Sequence, residues 1–283
     1  TLVLKLAAML SKGLPLPCDD DRPYEPIHII YQTAEDGIDD TIKPRLEQNG
    51  ADCSMIRVID ETEKELSMTD ERLEQAIVET NAKLIILDPI QAYIGATVDM
   101  HRANEIRPVL KKLGMIAEKY QCAVILIGHM NKASGSKSTY RGLGSIDIMA
   151  AVRSLIFIGK VRKDPTTRVL IHEKSSLAPP GETMAFKLGD EEGFRWVGAY
   201  EISADELLDG KEGKPTETKL QRGAKLIQEL LTDGNTITIR EVDAKAKAQG
   251  ISQRTMREVR SRMKEKLDYQ MNEKQENTIR LKK

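Results

Sequence analysis

The sequence predicts an α/β protein: a mostly parallel sheet with helices on both faces, followed by a small C-terminal domain. Three observations predict it. Short apolar runs bounded by breakers recur, most clearly at residues 83–89 (Lys-Leu-Ile-Ile-Leu-Asp-Pro) and 123–128 (Ala-Val-Ile-Leu-Ile-Gly). Runs this short and this apolar belong to strands buried on both faces of a parallel sheet. Helix-like segments separate the runs, and β-α alternation favours a sheet covered by helices. Charge then changes sign along the chain. Residues 216–283 hold 16 Lys and Arg against 10 Asp and Glu, a balance of +6, while the rest holds 27 against 34, a balance of −7. The change falls at residues 209–215, a glycine-rich charged stretch that reads as a linker.

The elements follow in order. Residues 27–31 form a strand candidate, and 38–48 look helical, ending at Asn49-Gly50. Residues 55–59 read as a second strand. Thr69 can cap a helix that continues through 72–79. After the strand at 83–87, residues 105–120 make a long helix with Val109, Leu110, Leu113, Ile116 and Ala117 near one face. Residues 123–128 give another buried strand. Residues 155–158, 168–172 and 184–188 read as a strand-rich flank, with Trp196 and Tyr200 sealing the end of the core. The expected division is a core over residues 1–205, a linker over 206–218 and a terminal domain over 219–283.

Composition narrows the class. The 283 residues suffice for one large domain and a small one. Apolar content of 40% and charged content of 31% suit a soluble, cytoplasmic protein. No run of about 18 apolar residues predicts a membrane span, and no signal-peptide pattern opens the chain. Cys18, Cys53 and Cys122 are odd in number and form no CxxC pair, which argues against a disulfide framework and a zinc site. His28, His101 and His172 join no motif and read as structural or surface residues.

Chemistry-bearing residues gather where strands end. Glu35 and Asp36 follow the strand at 27–31, Asp88 closes the strand at 83–87, and His129 follows the strand at 123–128. Ligands of open α/β sheets bind at the carboxyl ends of the strands. Hydrolysis of ATP needs a metal-water anchor, a base that orients the attacking water and a polar group that senses the γ-phosphate. Singly, Asp88 also suits a plain strand-end carboxylate, Glu35 a helix cap, and His129 a surface residue. Convergence of the three favours a site.

The ordered series resembles the RecA-like ATPases, in particular the subgroup related to the plasmid replicative helicase RepA and the DnaB-like motors. It runs through Ala34-Glu35-Asp36, Leu87-Asp88-Pro89, Gln91-Ala92-Tyr93-Ile94-Gly95, residues 122–129, Asn131-Lys132, residues 140–145, residues 150–154 and residues 174–181, and covers about residues 1–200. The resemblance implies roles by position. Glu35 corresponds to the catalytic glutamate, Asp88 to the Walker B aspartate that holds Mg²⁺ through water, and His129 to the γ-phosphate sensor. Arg141 corresponds to an arginine finger reaching a neighbouring subunit's nucleotide, with Lys174 a second candidate for that role. Either could instead be a surface charge. ATP and Mg²⁺ are the implied cofactors, and a homo-oligomeric ring, such as a hexamer, the implied assembly.

The chain departs from that pattern in one respect. The phosphate-binding loop G-x-x-x-x-G-K-[ST] is absent: the Gly-Lys pairs starting at 159, 210 and 213 are followed by Val161, Glu212 and Pro215. Residues 1–10 resemble the helix that directly follows this loop, so the expectation is a chain beginning just after the motif or with its threonine, Thr1. A protein that lost the loop is the alternative. Either way, the chain as given is expected to bind ATP poorly, lacking the lysine and the backbone nest that cradle phosphate. Between the sensor strand and Arg141 lies a Gly- and Ser-rich loop. In RecA-like rings the loop at this point faces the central channel, which makes Lys132 and Lys137 candidate contacts to single-stranded DNA; a plain surface loop is the other reading.

The terminal domain has its own logic. Residues 219–231 form an amphipathic helix, 237–239 a short strand, 240–249 a second helix stopped by Gly250, and Ser252 caps a third. Residues 269–271 and 278–281 make a hairpin. Helix, strand, helix, helix, hairpin is the order of a winged helix-turn-helix. The third helix carries Arg254, Arg257 and Arg260, placed to touch duplex DNA in the major groove, although winged helices also dock proteins. The expected function is an ATP-dependent, DNA-acting motor or helicase used in replication. Two alternatives stand beside it: a non-enzymatic DNA-binding regulator, and a recombinase-like strand-exchange ATPase.

Overall fold

The computed structural model describes all residues except 18–22, 130–145, 190–192, 211–212, 273–274 and 283. Contacts divide the chain into two units. One comprises Thr1–Gly181, Phe186–Trp196 and Ser203–Glu212, and the other Glu182–Ala185, Val197–Ile202 and Gly213–Lys283.

The first unit is built on a parallel sheet of β1 (Ile29–Thr33), β2 (Ile56–Arg57), β3 (Leu84–Asp88) and β4 (Ala123–Leu126), in the order β2-β1-β3-β4. All neighbours are parallel, with Tyr31 opposite Ile86, Thr33 opposite Asp88, and Leu87 opposite Leu126. Alternation along β3 sends its side chains to two separate cores. Leu84 and Ile86 join Ile29, Tyr31, Leu4, Ala7 and Leu46 on the face covered by α1 (Leu2–Ser11) and α2 (Lys43–Gln48). Ile85 and Leu87 join Ile30, Leu73, Ile77, Leu113 and Ile116 on the face covered by α3 (Glu71–Thr80) and α4 (Ala103–Tyr120). Because both faces are covered, β3 reads as a continuous apolar run.

Local chemistry sets details that differ from the expected elements. Residues 38–48 are not one α-helix: a π-helical turn at Ile38–Ile42 precedes α2. The strand expected at 55–59 shrinks to two residues. Asp52 draws the chain into a 3₁₀ turn by accepting from Ser54 N at 3.0 Å. Ile59 is then held by a side chain in place of a strand: the Gln32 amide accepts from Ile59 N at 2.6 Å and donates to Ile59 O at 3.2 Å. The cap of α3 is Asp70, not Thr69; its carboxylate accepts from Arg72 N.

After α5 (Ile146–Ala151) comes a second sheet of β5 (Ser154–Lys160), β6 (Thr167–Ser175), β7 (Met184–Gly189), β8 (Gly193–Glu201) and β9 (Lys214–Pro215), ordered as in the chain. The expected flank thus gains β8. Trp196 on β8 packs against Phe194 and Phe186, with ring centroids 4.9 and 5.8 Å away. The stretch expected as a linker carries α6 (Ala204–Leu208) and β9.

The C-terminal elements are α7 (Lys219–Leu230), β10 (Ile237–Thr238), α8 (Ile239–Ala248), α9 (Gln253–Arg262), β11 (Leu267–Met271) and β12 (Asn277–Leu281). The three strands pair in the order β10-β12-β11, both pairings antiparallel. Leu226, Ile227, Val242, Met256, Val259 and Ile279 form a single core. Gly250, at φ +73°, takes the left-handed turn between α8 and α9, where Ile251 N donates to Ala246 O. Among the described residues, no helix is long and apolar enough to cross a membrane.

Candidate functional site

The carboxyl ends of β1, β3 and β4 lie side by side and are laced together beyond the strands. Ala34 N donates to Asp88 O at 3.1 Å, Ile127 N to Leu87 O at 3.0 Å, and Ile90 N to Ile127 O at 2.6 Å. Each strand delivers a polar residue at this lacing or just past it. Glu35 lies two residues beyond Thr33, which pairs with Asp88; His129 lies three beyond Leu126, which pairs with Leu87.

The three predicted residues meet there. His129 Nε2 and Glu35 Oε2 are 3.3 Å apart, and both side chains are well exposed. Asp88 is half-buried, and that burial raises its carboxyl above the usual range. A hydrogen bond from Tyr31 partly offsets the rise, the Glu35 charge adds to it and His129 opposes it. The Tyr31 hydroxyl donates to Asp88 Oδ2 at 3.0 Å. Tyr31 is itself 2% exposed; burial and the neighbouring carboxylate push its hydroxyl far above its ordinary value.

The two consecutive acids take different partners. Asp36 Oδ2 accepts from Arg45 Nη1 at 3.1 Å, so its charge is balanced by α2. Glu35 turns to His129 instead. Sequence reasoning missed Tyr31. Its signal was a polar-tipped aromatic within an Ile-Ile-Tyr strand, in register two residues before the strand-end acid.

The other predicted residues fall elsewhere. Thr1 is the N-cap position of α1; its carbonyl accepts from Lys5 N at 3.0 Å and its side chain makes no capping bond. The Lys174 ammonium donates to three carbonyls at the end of α5, Met149 at 2.9 Å, Ala150 at 2.9 Å and Val152 at 2.8 Å. Those bonds occupy all three of its donors. Lys132, Lys137 and Arg141 lie outside the described residues. On α9, Arg254 and Arg257 are exposed. Arg260, predicted beside them, is only 7% exposed, and its Nη1 donates to Asp243 Oδ1 at 2.6 Å. Buried and paired with an acid, its guanidinium is turned into the domain. Among the described residues, no group of three or more His, Cys, Asp or Glu is placed to hold a metal ion directly.

Known proteins resemble part of this chain. The family model of the AAA domain matches residues 1–135. A search of curated protein sequences finds no match. Among solved structures, a RadB recombinase is similar over 59% of this chain and 78% of its own, with 18% identity and a TM-score of 0.42. A DnaB-like replicative helicase, solved in a study of its interactions with primase, is similar over 58% of this chain and 50% of its own, with 13% identity and a TM-score of 0.44. The family match spans α1 to β4, the elements that build the parallel sheet and carry Glu35, Asp88 and His129. Residues 1–135, the part of the chain that holds the parallel sheet, are thus similar to an AAA domain.

Proposed function

We propose that this chain belongs to a DNA-acting motor of the replicative-helicase type, in which the parallel-sheet edge hydrolyses ATP and the C-terminal domain, a winged helix, binds DNA. The reading rests on one contact, Glu35 with His129 at 3.3 Å, beside the half-buried Asp88. That arrangement supplies two of the groups hydrolysis needs at the edge where α/β folds bind ligands.

The residues fit Mg²⁺ in part. Tyr31 holds Asp88 Oδ2, which leaves Oδ1 to accept hydrogen bonds from metal-bound water. Magnesium, when bound with the nucleotide, neutralises the charge that develops on the transferring phosphoryl group. The phosphate-cradling loop does not occur in these 283 residues, so the fit stops at the metal-water side. Glu35 orients the attacking water, and His129 couples the position of Glu35 to the γ-phosphate. Arg141 completes a neighbour's site across a homo-oligomeric ring, and Thr1 lies at the phosphate side of α1. Lys174 acts in that site only after leaving its three carbonyls, so its role in trans ranks below that of Arg141. Lys132 and Lys137 touch single-stranded DNA, and Arg254 and Arg257 touch duplex DNA. The working compartment is the cytoplasm.

The test is ATP turnover by the complete gene product, with and without single-stranded DNA. Stimulation by DNA, and a fall of about 10²–10⁴-fold on Glu35→Gln with nucleotide binding retained, support the reading. DNA binding without turnover would favour a regulator. Strand exchange without unwinding would favour a recombinase-like enzyme.

A further inference from the structure

The arginines of α9 do not share one environment, and the difference assigns them different work. Arg254 and Arg257 are exposed on the outer face of the helix. Arg260 is buried, and its side chain pairs with that of Asp243 from α8, the two being 8% and 12% exposed. The other oxygen of Asp243 accepts from Gln253 Nε2 at 3.1 Å. One carboxylate therefore grips α9 at its first residue and again seven residues on, two turns along the same face. A third tie comes from the hairpin, where the Tyr269 hydroxyl approaches Arg260 O at 3.5 Å. Met256 and Val259 pack beneath, both 2% exposed or less.

We propose that Asp243 and Arg260 are positioning residues for nucleic-acid recognition: they set the angle and rotation of α9 so that Arg254 and Arg257 face the major groove of duplex DNA. Arg260 makes no DNA contact. Apolar side chains would seal the same space. A buried ion pair costs desolvation that an apolar pair does not, so it adds little net stability. What it supplies is a fixed register: the two oxygens of a short carboxylate reach one amide and one guanidinium only at a single rotation of the helix. Arg262, two residues further, pairs with Glu258 on its own helix at 2.7 Å.

The inference rests on the proposed DNA binding by the C-terminal domain, and the experiment separates the two. Binding of a fluorescent duplex by the full chain is followed by anisotropy across a series of salt concentrations. Arg257→Ala should weaken binding and reduce the salt slope by about 0.9, the signature of one lost phosphate contact. The charge-neutral pair Asp243→Leu with Arg260→Met should weaken binding about 5- to 100-fold, the size of a lost base contact, with the slope unchanged. Asp243→Asn, which releases Arg260 without removing it, should also weaken binding at unchanged slope. Each variant is first checked for a cooperative thermal transition. Tighter binding and a steeper slope for Asp243→Asn would make Arg260 a latent DNA contact and overturn the proposal. Folded variants that bind like the wild type would reduce the pair to a packing feature and also overturn it. Wild-type protein that binds no duplex at all removes the DNA reading itself, and the clamp's purpose with it.

Discussion

The parallel sheet and the C-terminal helices reach order by opposite routes. Three of the four helices flanking the sheet, α1, α2 and α4, start without a side-chain cap, and only α3 has one. All three C-terminal helices are capped by a hydroxyl, and α7 and α8 carry complete capping boxes, Thr218 with Gln221 and Thr238 with Glu241. The sheet instead buries both faces of its central strands β1 and β3, which pair across 55 residues, as with Ile30 and Ile85. Long-range burial fixes the large core, and local hydrogen bonds do more of the work where the core is small. The site follows the same division: the polar edge of the first unit depends on strand register, whereas the C-terminal helix face depends on a cap and a clamp.

This contrast can be broken or sharpened by substitution. The largest expected effect is in the sheet. Leu87→Ala removes a side chain with no exposure and should cost about 2–5 kcal/mol in denaturant unfolding. A loss under 1 kcal/mol would mean that the sheet does not carry the unit. Tyr31→Phe comes next. It strips the donor from half-buried Asp88 and should cost about 1–3 kcal/mol at neutral pH. The pH dependence has a definite sign. Asp88 titrates above its unfolded value, so it lowers stability as pH rises through its folded range. Losing the Tyr31 bond raises that value further. The cost of Tyr31→Phe should therefore shrink at acid pH, where Asp88 is protonated, and a cost independent of pH would show that the hydroxyl serves something other than Asp88.

Caps give the next effect. Thr238→Ala should cost about 1 kcal/mol, read as faster amide exchange across α8. Unchanged exchange would show that tertiary packing alone holds that helix. For contrast, Asp70→Ala tests the one capped helix beside the sheet. Its carboxyl is held at about 2, first by the hydrogen bond from Arg72, so its contribution is complete above about pH 4 and fades as pH falls towards 2. The smallest effect belongs to Arg45→Ala. The Arg45–Asp36 pair is exposed and should contribute less than about 1 kcal/mol, weakening with salt.

The sequence made the sheet legible because β1, β3 and β4 are apolar runs with breakers at their ends, and strand ends in such sheets have a known polarity. It also pointed to one sheet edge for Glu35, Asp88 and His129, since each lies within three residues of a strand end. What escaped it was side-chain geometry across long separations. Nothing local marks Gln32 as a stand-in strand partner for Ile59, 27 residues away, or shows that Arg260 turns inward to Asp243 while Arg257 stays exposed. A helical spacing of three puts Arg254, Arg257 and Arg260 near one another, yet the 100° step per residue carries the third towards the core.

The central claim is that Glu35 and Asp88 act in one site at the carboxyl edge of the sheet. A double-mutant cycle on ATP turnover by the complete gene product tests it most directly, using Glu35→Gln, Asp88→Asn and the pair. Residues that act as a unit are non-additive, so the double variant should lose no more activity than the worse single one. Losses that multiply, each independent of the other, would mean that the two carboxylates do not act in one site and contradict the account.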